Sequence, residues 1–192
     1  MNERETLETT ETTREDSLSH SARWLDLRAW VRDVIVSVII AAIVIIFLYQ
    51  PVKVEGTSMM PWLTDQERIF VNKFVYHFGD IQRGDIVVFW FPLDSSKSYI
   101  KRVIGLPGDL VEIDRGTVRV NGHVFDENYI PEQYRDRMSY PPMKVESDHY
   151  YVLGDHRNAS NDSRTWGTVE RNRIYGKAVF VYWPPDKFGV LQ

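Results

Sequence analysis

The feature that most constrains this chain is an apolar run without a single charge, Val34 to Tyr49, placed ahead of a region of ordinary globular composition. As a helix the run covers about 24 Å, against about 30 Å of bilayer hydrocarbon. Its flanks extend it: Arg32 can snorkel, and Trp24, Trp30 and Tyr49 carry the amphipathic rings common at membrane interfaces. The Val, Ile, Leu and Phe side chains of the run favour insertion by roughly 4–7 kcal/mol. A buried core helix and a cleaved signal peptide are the competing readings. Against cleavage, the stretch Tyr49-Gln50-Pro51-Val52-Lys53 lacks the small-x-small pattern a processing enzyme needs. The pattern predicts an uncleaved anchor, with Pro51 ending the helix. Arg23, Arg28 and Arg32 precede the run and only Lys53 follows closely, so the N-terminus is expected in the cytoplasm and the rest across the membrane.

Three segments follow from this. Residues 1–22 are rich in Thr, Glu and Ser with almost nothing apolar, the composition of a disordered tail. Residues 23–50 form an interfacial segment and membrane helix. Residues 51–192 are enough for one domain with its own core. With 23 Lys and Arg against 27 Asp and Glu, the net charge is −4 and no basic patch stands out, so nucleic acid is not the expected partner. The 192 residues include no Cys, which removes disulfides, thiol nucleophiles and thiolate metal sites together.

Beyond Pro51 the pattern is mostly β. Ile86–Phe91 is a continuous β-favouring run, opened by Arg83-Gly84-Asp85 and closed by Pro92, as in a strand covered on both faces. Tyr99–Ile104, His149–Leu153 and Ile174–Trp183 read as further strands. Thr117–Val120, Asn121-Gly122 and His123–Phe125 make a hairpin, because Asn-Gly supplies the two positive φ values of a type I′ turn. Residues 126–147, with Pro131, Pro141 and Pro142, read as a long excursion from the sheet. The expected fold class is mostly β: an N-terminal membrane helix followed by a domain of coiled, barrel-like sheets.

The segment Gly56-Thr57-Ser58-Met59-Met60-Pro61 presents a hydroxyl in a small, turn-prone cluster just after the apolar run. A serine needs an activating base to act as a nucleophile. His156, beside Asp155 in a polar loop, makes a Ser58–His156–Asp triad conceivable. Lys101 is the other candidate. It lies inside the apolar strand, and alternation sends Lys101 and Arg102 to opposite faces, so one of them points inward unless both faces are wet. A lysine base must be neutral, and lowering its pKa from about 10.4 to about 7–8 takes roughly 3–5 kcal/mol, which desolvation can supply. The polar stretch Leu153–Gly167 has the charges and hydroxyls of an active-site wall and, equally, of a connecting loop. It also holds two Asn-x-Ser sequons, at Asn158 and Asn161. No ligand spacing suggests a metal.

Taken together, these segments resemble the type I signal peptidases (leader peptidases), the membrane-anchored Ser/Lys proteases of peptidase family S26, of the bacterial single-span type. Ser58-Met59-Met60-Pro61 is similar to the nucleophile segment, Arg83–Phe89 to a structural strand, Tyr99–Asp109 to the general-base segment, and Gly154–Arg164 to the last family segment, all in the family's order. The resemblance implies Ser58 as nucleophile and Lys101 as general base, without cofactor or metal. It implies that Ser160 orients the lysine amine and that Asp162 and Arg164 form a supporting ion pair. It implies that Met59, Leu63, Tyr99 and Ile100 shape the pocket for the residue before the cut. The implied partners are the signal peptides of secretory precursors, cut after small residues in an Ala-x-Ala pattern, and the lipid bilayer. A monomer with its catalytic domain on the periplasmic or lumenal side of a plasma or thylakoid membrane is expected. Two positions depart from the family pattern. Gly56 stands where some members place a Ser that donates to the oxyanion, and Trp62 stands where Thr is common. Two other classes compete: a self-cleaving repressor-type Ser/Lys protease, which the anchor disfavours, and a catalytically silent tethered β-domain, which would be expected to lack Ser58 or Lys101.

Overall fold

The computed structural model describes residues 28–45 and 48–191, and the chain separates into two compact units, 1–47 and 48–192. In the first unit, residues 28–45 are helical (α1), with apolar side chains such as Ile35, Val38 and Ile40 exposed. Among the described residues no helix is long and apolar enough to cross a membrane. The first turns of α1 hold Arg28, Arg32 and Asp33, which interrupt the apolar surface. The expected tail and Trp24 lie outside the described residues. Pro51 does not end the helix, because the chain is already extended at Tyr49. Strand β1 (Tyr49–Lys53) lies at the margin of a sheet with Pro51 opposite Phe70, a place where a missing N–H costs little.

The second unit is mostly β. Its large sheet runs β1, β2 (Arg68–Asn72), β11 (Ile174–Trp183), β3 (Ile86–Trp90), β4 (Ser98–Gly105), β9 (His149–Leu153) and β10 (Val169–Glu170). Strand β12 (Gly189–Val190) also pairs with β11. The small sheet runs β7 (His123–Val124), β6 (Thr117–Val120), β5 (Leu110–Asp114) and β8 (Tyr140–Lys144). The Asn121-Gly122 hairpin joins β6 to β7 with φ of 53° and 80°, the left-handed pair the turn needs. The expected excursion at 126–147 is only partly one. It returns as β8, whose Pro141 and Pro142 are tolerated at the margin of the small sheet.

Both faces of β3 are covered. Ile86 and Val88 pack with Met59, Leu63 and Ile69, while Val87 and Phe89 pack with Val103, Val152 and Ile174 on the other side. Each fully buried side chain of this kind contributes roughly 1.5–3 kcal/mol. A third cluster, with Ile104, Val111, Val118 and Leu153, joins the two sheets. Gly105 sits where they approach: a Cβ there would lie 2.7 Å from Val111 and 2.9 Å from Tyr151. The packing leaves β4 interior to the large sheet, between β3 and β9, and buries its residues from Lys101 to Gly105. Two short helices complete the unit, α2 (Val75–Phe78) and α3 (Ser163–Trp166).

Candidate active site

Ser58 lies in a compact turn after β1. Met60 N–H donates to Thr57 O at 3.1 Å and Leu63 N–H to Met59 O at 3.0 Å, while Gly56 N–H donates to Asp65 Oδ1 at 2.8 Å. Gly56 has φ +93°, the left-handed backbone that glycine adopts without strain. Met59 and Leu63 point into the core under this turn and anchor it. Lys101 comes from the middle of β4, opposite Val87. Its Nζ lies 2.5 Å from Ser58 Oγ, across 43 residues of sequence.

Lys101 is 3 % exposed. Burial pushes its amine down to about 8. The Asp162 and Asp155 carboxylates oppose that lowering, and the Arg164 guanidinium adds to it. The Tyr99 ring, 5.5 Å from Nζ, is the aromatic face nearest the charge. Tyr99 itself stacks on Phe91 at 4.3 Å, and Trp166 stands edge-on to Phe91. These contacts hold the Tyr99 ring beside the amine.

Alternation predicted that one of Lys101 and Arg102 would face inward, and both are buried. Arg102 is 4 % exposed on the opposite face of β4, where Asp155 takes it in two contacts of 2.9 and 2.8 Å. Its guanidinium also donates to Gly84 O and lies over the Tyr129 ring. Burial works against this charge, yet the Asp155 contacts raise its pKa above the ordinary arginine value. Nothing in a single strand announces such a pair, because the partner is 53 residues away.

That pairing bears on the histidine alternative. Asp155 is occupied by Arg102 rather than by His156. The His156 ring does not face the Ser58 hydroxyl; its Nδ1 meets Thr57 O at 3.1 Å, and its backbone N–H donates to Ser58 O at 3.1 Å. No Ser–His–Asp chain of hydrogen bonds is present among the described residues.

The wall segment carries an ion-pair cluster. Asp162 caps α3 and accepts from Arg164 Nε and Nη2 at 2.8 Å each, and its second oxygen also takes Gly154 N–H at 3.0 Å. Arg164 reaches on to Asp136 at 2.7 Å, which ties the wall to the approach to β8. Ser160 makes no hydrogen bond to Lys101. Its Oγ is buried and unpartnered among the described residues. Gly154 makes this closeness possible, since a Cβ there would fall 2.2 Å from Ser160 Oγ and 2.4 Å from Ser58 O.

A cleft of about 640 Å³ opens beside the pair. One wall is the stretch from Val52 to Ser58 and the other the stretch from Ser96 to Lys101, with Ala159 and Asn161 at the margin. Tyr99 and Ile100 line it, whereas Met59 and Leu63 do not, being 1 % and 0 % exposed within the core. Val52, Val54, Ile69 and Val88 provide the apolar lining instead. A period-two pattern at Val52 and Val54 was the available signal. The cleft carries the Ser58 hydroxyl and the Lys101 amine on its walls beside this apolar lining. Trp62 is half-exposed and donates its indole N–H to Tyr129 O at 2.7 Å.

The chain matches the family described as signal peptidase, peptidase S26, over residues 27–183. It is 40 % identical over 176 residues to a probable signal peptidase I-2 of Synechocystis, covering 88 % of this chain and 77 % of that protein. It is 39 % identical over 167 residues to signal peptidase I P of Bacillus subtilis subsp. natto, covering 82 % and 90 %. A solved signal peptidase I from Enterococcus faecalis shares 31 % identity, with a TM-score of 0.45, over 52 % of this chain and 97 % of that one.

Proposed function

The chain belongs to the signal peptidase family, peptidase S26, a family of serine endopeptidases that remove signal peptides, and we propose that it does so through a Ser58/Lys101 dyad. The observation that carries the dyad is the 2.5 Å contact between Lys101 Nζ and Ser58 Oγ at an amine held down to about 8. With a pKa near 8, about a tenth of the amine is neutral at pH 7, against roughly 0.04 % for free lysine. The neutral amine accepts the Ser58 hydroxyl proton as Oγ attacks the scissile carbonyl. The resulting ammonium returns a proton to the departing amine, and the acyl-enzyme forms. A water then repeats the attack, with Lys101 again the base. Ser160 Oγ is a free buried acceptor in the same wall and suits an amine N–H as the lysine turns from Ser58. Asp162 and Arg164 hold that wall in place.

The substrate we propose is the signal peptide of a secretory precursor, laid extended between the two cleft walls. Tyr99, Ile100, Val52 and Val54 leave room for Ala-sized side chains, which favours Ala-x-Ala sites. Residues 23–50 are read as an anchor on the exposed apolar side chains of α1, with residues 1–22 a cytoplasmic tail and residues 51–192 a monomeric extracytoplasmic catalytic domain on a plasma or thylakoid membrane. The deciding experiment is cleavage of a test precursor in detergent by wild type, Lys101→Ala and His156→Ala. Wild type cleaves and Lys101→Ala does not. Retention by Lys101→Ala with complete loss in His156→Ala would sink the dyad and establish the triad.

A further inference from the structure

The proposed dyad leaves one requirement open: a donor for the negative charge that develops on the scissile carbonyl oxygen. The side chain at position 56 is absent, and the Gly56 N–H is committed to Asp65. The Ser58 N–H makes no hydrogen bond among the described residues, and Ser58 lines the cleft.

We infer that His156 is a positioning residue for the oxyanion-binding Ser58 amide, acting through the carbonyl of the same peptide group. This rests on the Ser58/Lys101 reading. The Thr57 carbonyl and the Ser58 N–H belong to one planar unit and point in opposite directions. His156 Nδ1 meets that carbonyl at 3.1 Å, and the Met60 N–H meets it at 3.1 Å as well. A carbonyl oxygen only accepts, so His156 Nδ1 carries the hydrogen. Donation into Thr57 O fixes the rotation of the peptide plane and draws charge toward the oxygen. The Ser58 N–H, on the far side from His156, becomes a stronger donor. The His156 backbone N–H holds Ser58 O at 3.1 Å, so one residue secures the carbonyls on both sides of the Ser58 α-carbon.

His156 is itself well placed for this. Asp155 before it is locked by Arg102, Ala159 N–H donates to His156 O at 2.9 Å, and the Tyr134 ring stands edge-on to the imidazole at 4.8 Å. The ring can serve the nucleophile segment without touching substrate.

Two substitutions separate polarisation from packing. His156→Phe keeps the aromatic bulk against Tyr134 and loses the ring N–H. His156→Asn loses the ring and keeps an N–H donor near the position of Nδ1. With the full chain in detergent and a soluble Ala-x-Ala peptide, His156→Phe lowers kcat about tenfold with KM within about twofold, below the 10²–10³ that follows loss of an oxyanion donor outright. His156→Asn retains kcat within about threefold. Full activity in His156→Phe, or equal losses in both variants, overturns the inference while leaving the dyad intact. Wild type that cleaves no such peptide overturns the dyad and this inference with it. A readout that needs no substitution is nitrogen NMR of the wild-type histidines. His156 shows its hydrogen on Nδ1, and the Nε2-protonated neutral tautomer there overturns the inference.

Discussion

Lys101 and Arg102 are consecutive on β4, equally withdrawn from water, and shifted in opposite directions in their hold on the proton. On one face Arg102 meets a carboxylate in two contacts, a carbonyl and an aromatic ring, and its charge is reinforced. On the other, Lys101 meets a hydroxyl and the Tyr99 ring, while Asp162 and Asp155 act only through space, and its amine falls to about 8. Burial is the same on both faces, so burial does not decide whether a cation keeps its proton. The distance to a compensating carboxylate does. One strand thus carries a cation that pins the structure and an amine whose proton is held weakly.

The largest effect that follows is on turnover. On the proposed dyad, Ser58→Ala and Lys101→Ala each lower kcat by about 10⁴–10⁶, and the double variant is little worse than either, because a nucleophile and its base act as one unit. Single-turnover cleavage of a soluble peptide measures it, and additive losses would mean that the two side chains work independently. Arg102 gives the contrast on the opposite face. Asp155→Ala strands a buried guanidinium and lowers folding stability by about 3–5 kcal/mol, read from urea unfolding. Replacing both partners by apolar residues recovers most of it. Equal stability of Asp155→Ala and wild type would remove the distinction between the faces.

This contrast also marks what the sequence could tell. Lys101 was legible as a candidate because a lysine inside an apolar strand is chemically odd. Arg102 was not, because alternation assumes one wet face and β4 is buried on both faces at Lys101 and Arg102. The strand at Ile86–Trp90, the strand at Ile174–Trp183 and the Asn121-Gly122 hairpin follow from local residue chemistry and were readable. Strands β1 and β8 were not, because each contains proline and exists only where a sheet margin tolerates it. Met59 and Leu63 were assigned to the pocket by resemblance, but a turn's side-chain directions are set by the core beneath it. The Ser160 hydroxyl packs where only a glycine at 154 leaves room for it, and that is tertiary information.

The next effect is on stability against pH. Lys101 has a folded pKa of about 8, below its ordinary value of 10.5. Below pH 8 both folded and unfolded chains hold the proton, and the fold carries the full desolvation penalty, about 3 kcal/mol. Between pH 8 and 10.5 the unfolded chain binds more protons, so stability rises with pH, and above 10.5 the penalty is gone. Lys101→Met therefore stabilises the protein by about 3 kcal/mol at pH 7, and its advantage over wild type disappears as pH passes 10.5. Urea unfolding of the pair at both pH values tests this. An advantage that does not change with pH would mean that packing, not charge, is responsible. With Lys101 as the proposed base, the same pKa gives the cleavage rate an ascending limb near pH 8.

The smallest expected effect serves as the control for the comparison. Arg137 pairs with Glu132 at 3.2 Å, a contact of the same chemistry as Arg102 with Asp155, but the two side chains are 85 % and 72 % exposed. Water and salt screen such a pair, and both side chains lose rotamer freedom in forming it. Arg137→Ala should therefore leave the urea midpoint where it is, at low and at high salt alike. A loss comparable to that of Asp155→Ala would mean that ion pairing as such stabilises this domain, whatever its burial. The contrast between the two faces of β4 would then need another cause. An unchanged midpoint keeps the argument where the geometry puts it: a charge matters here when water cannot reach it, and its nearest carboxylate then decides whether it serves the fold or the chemistry.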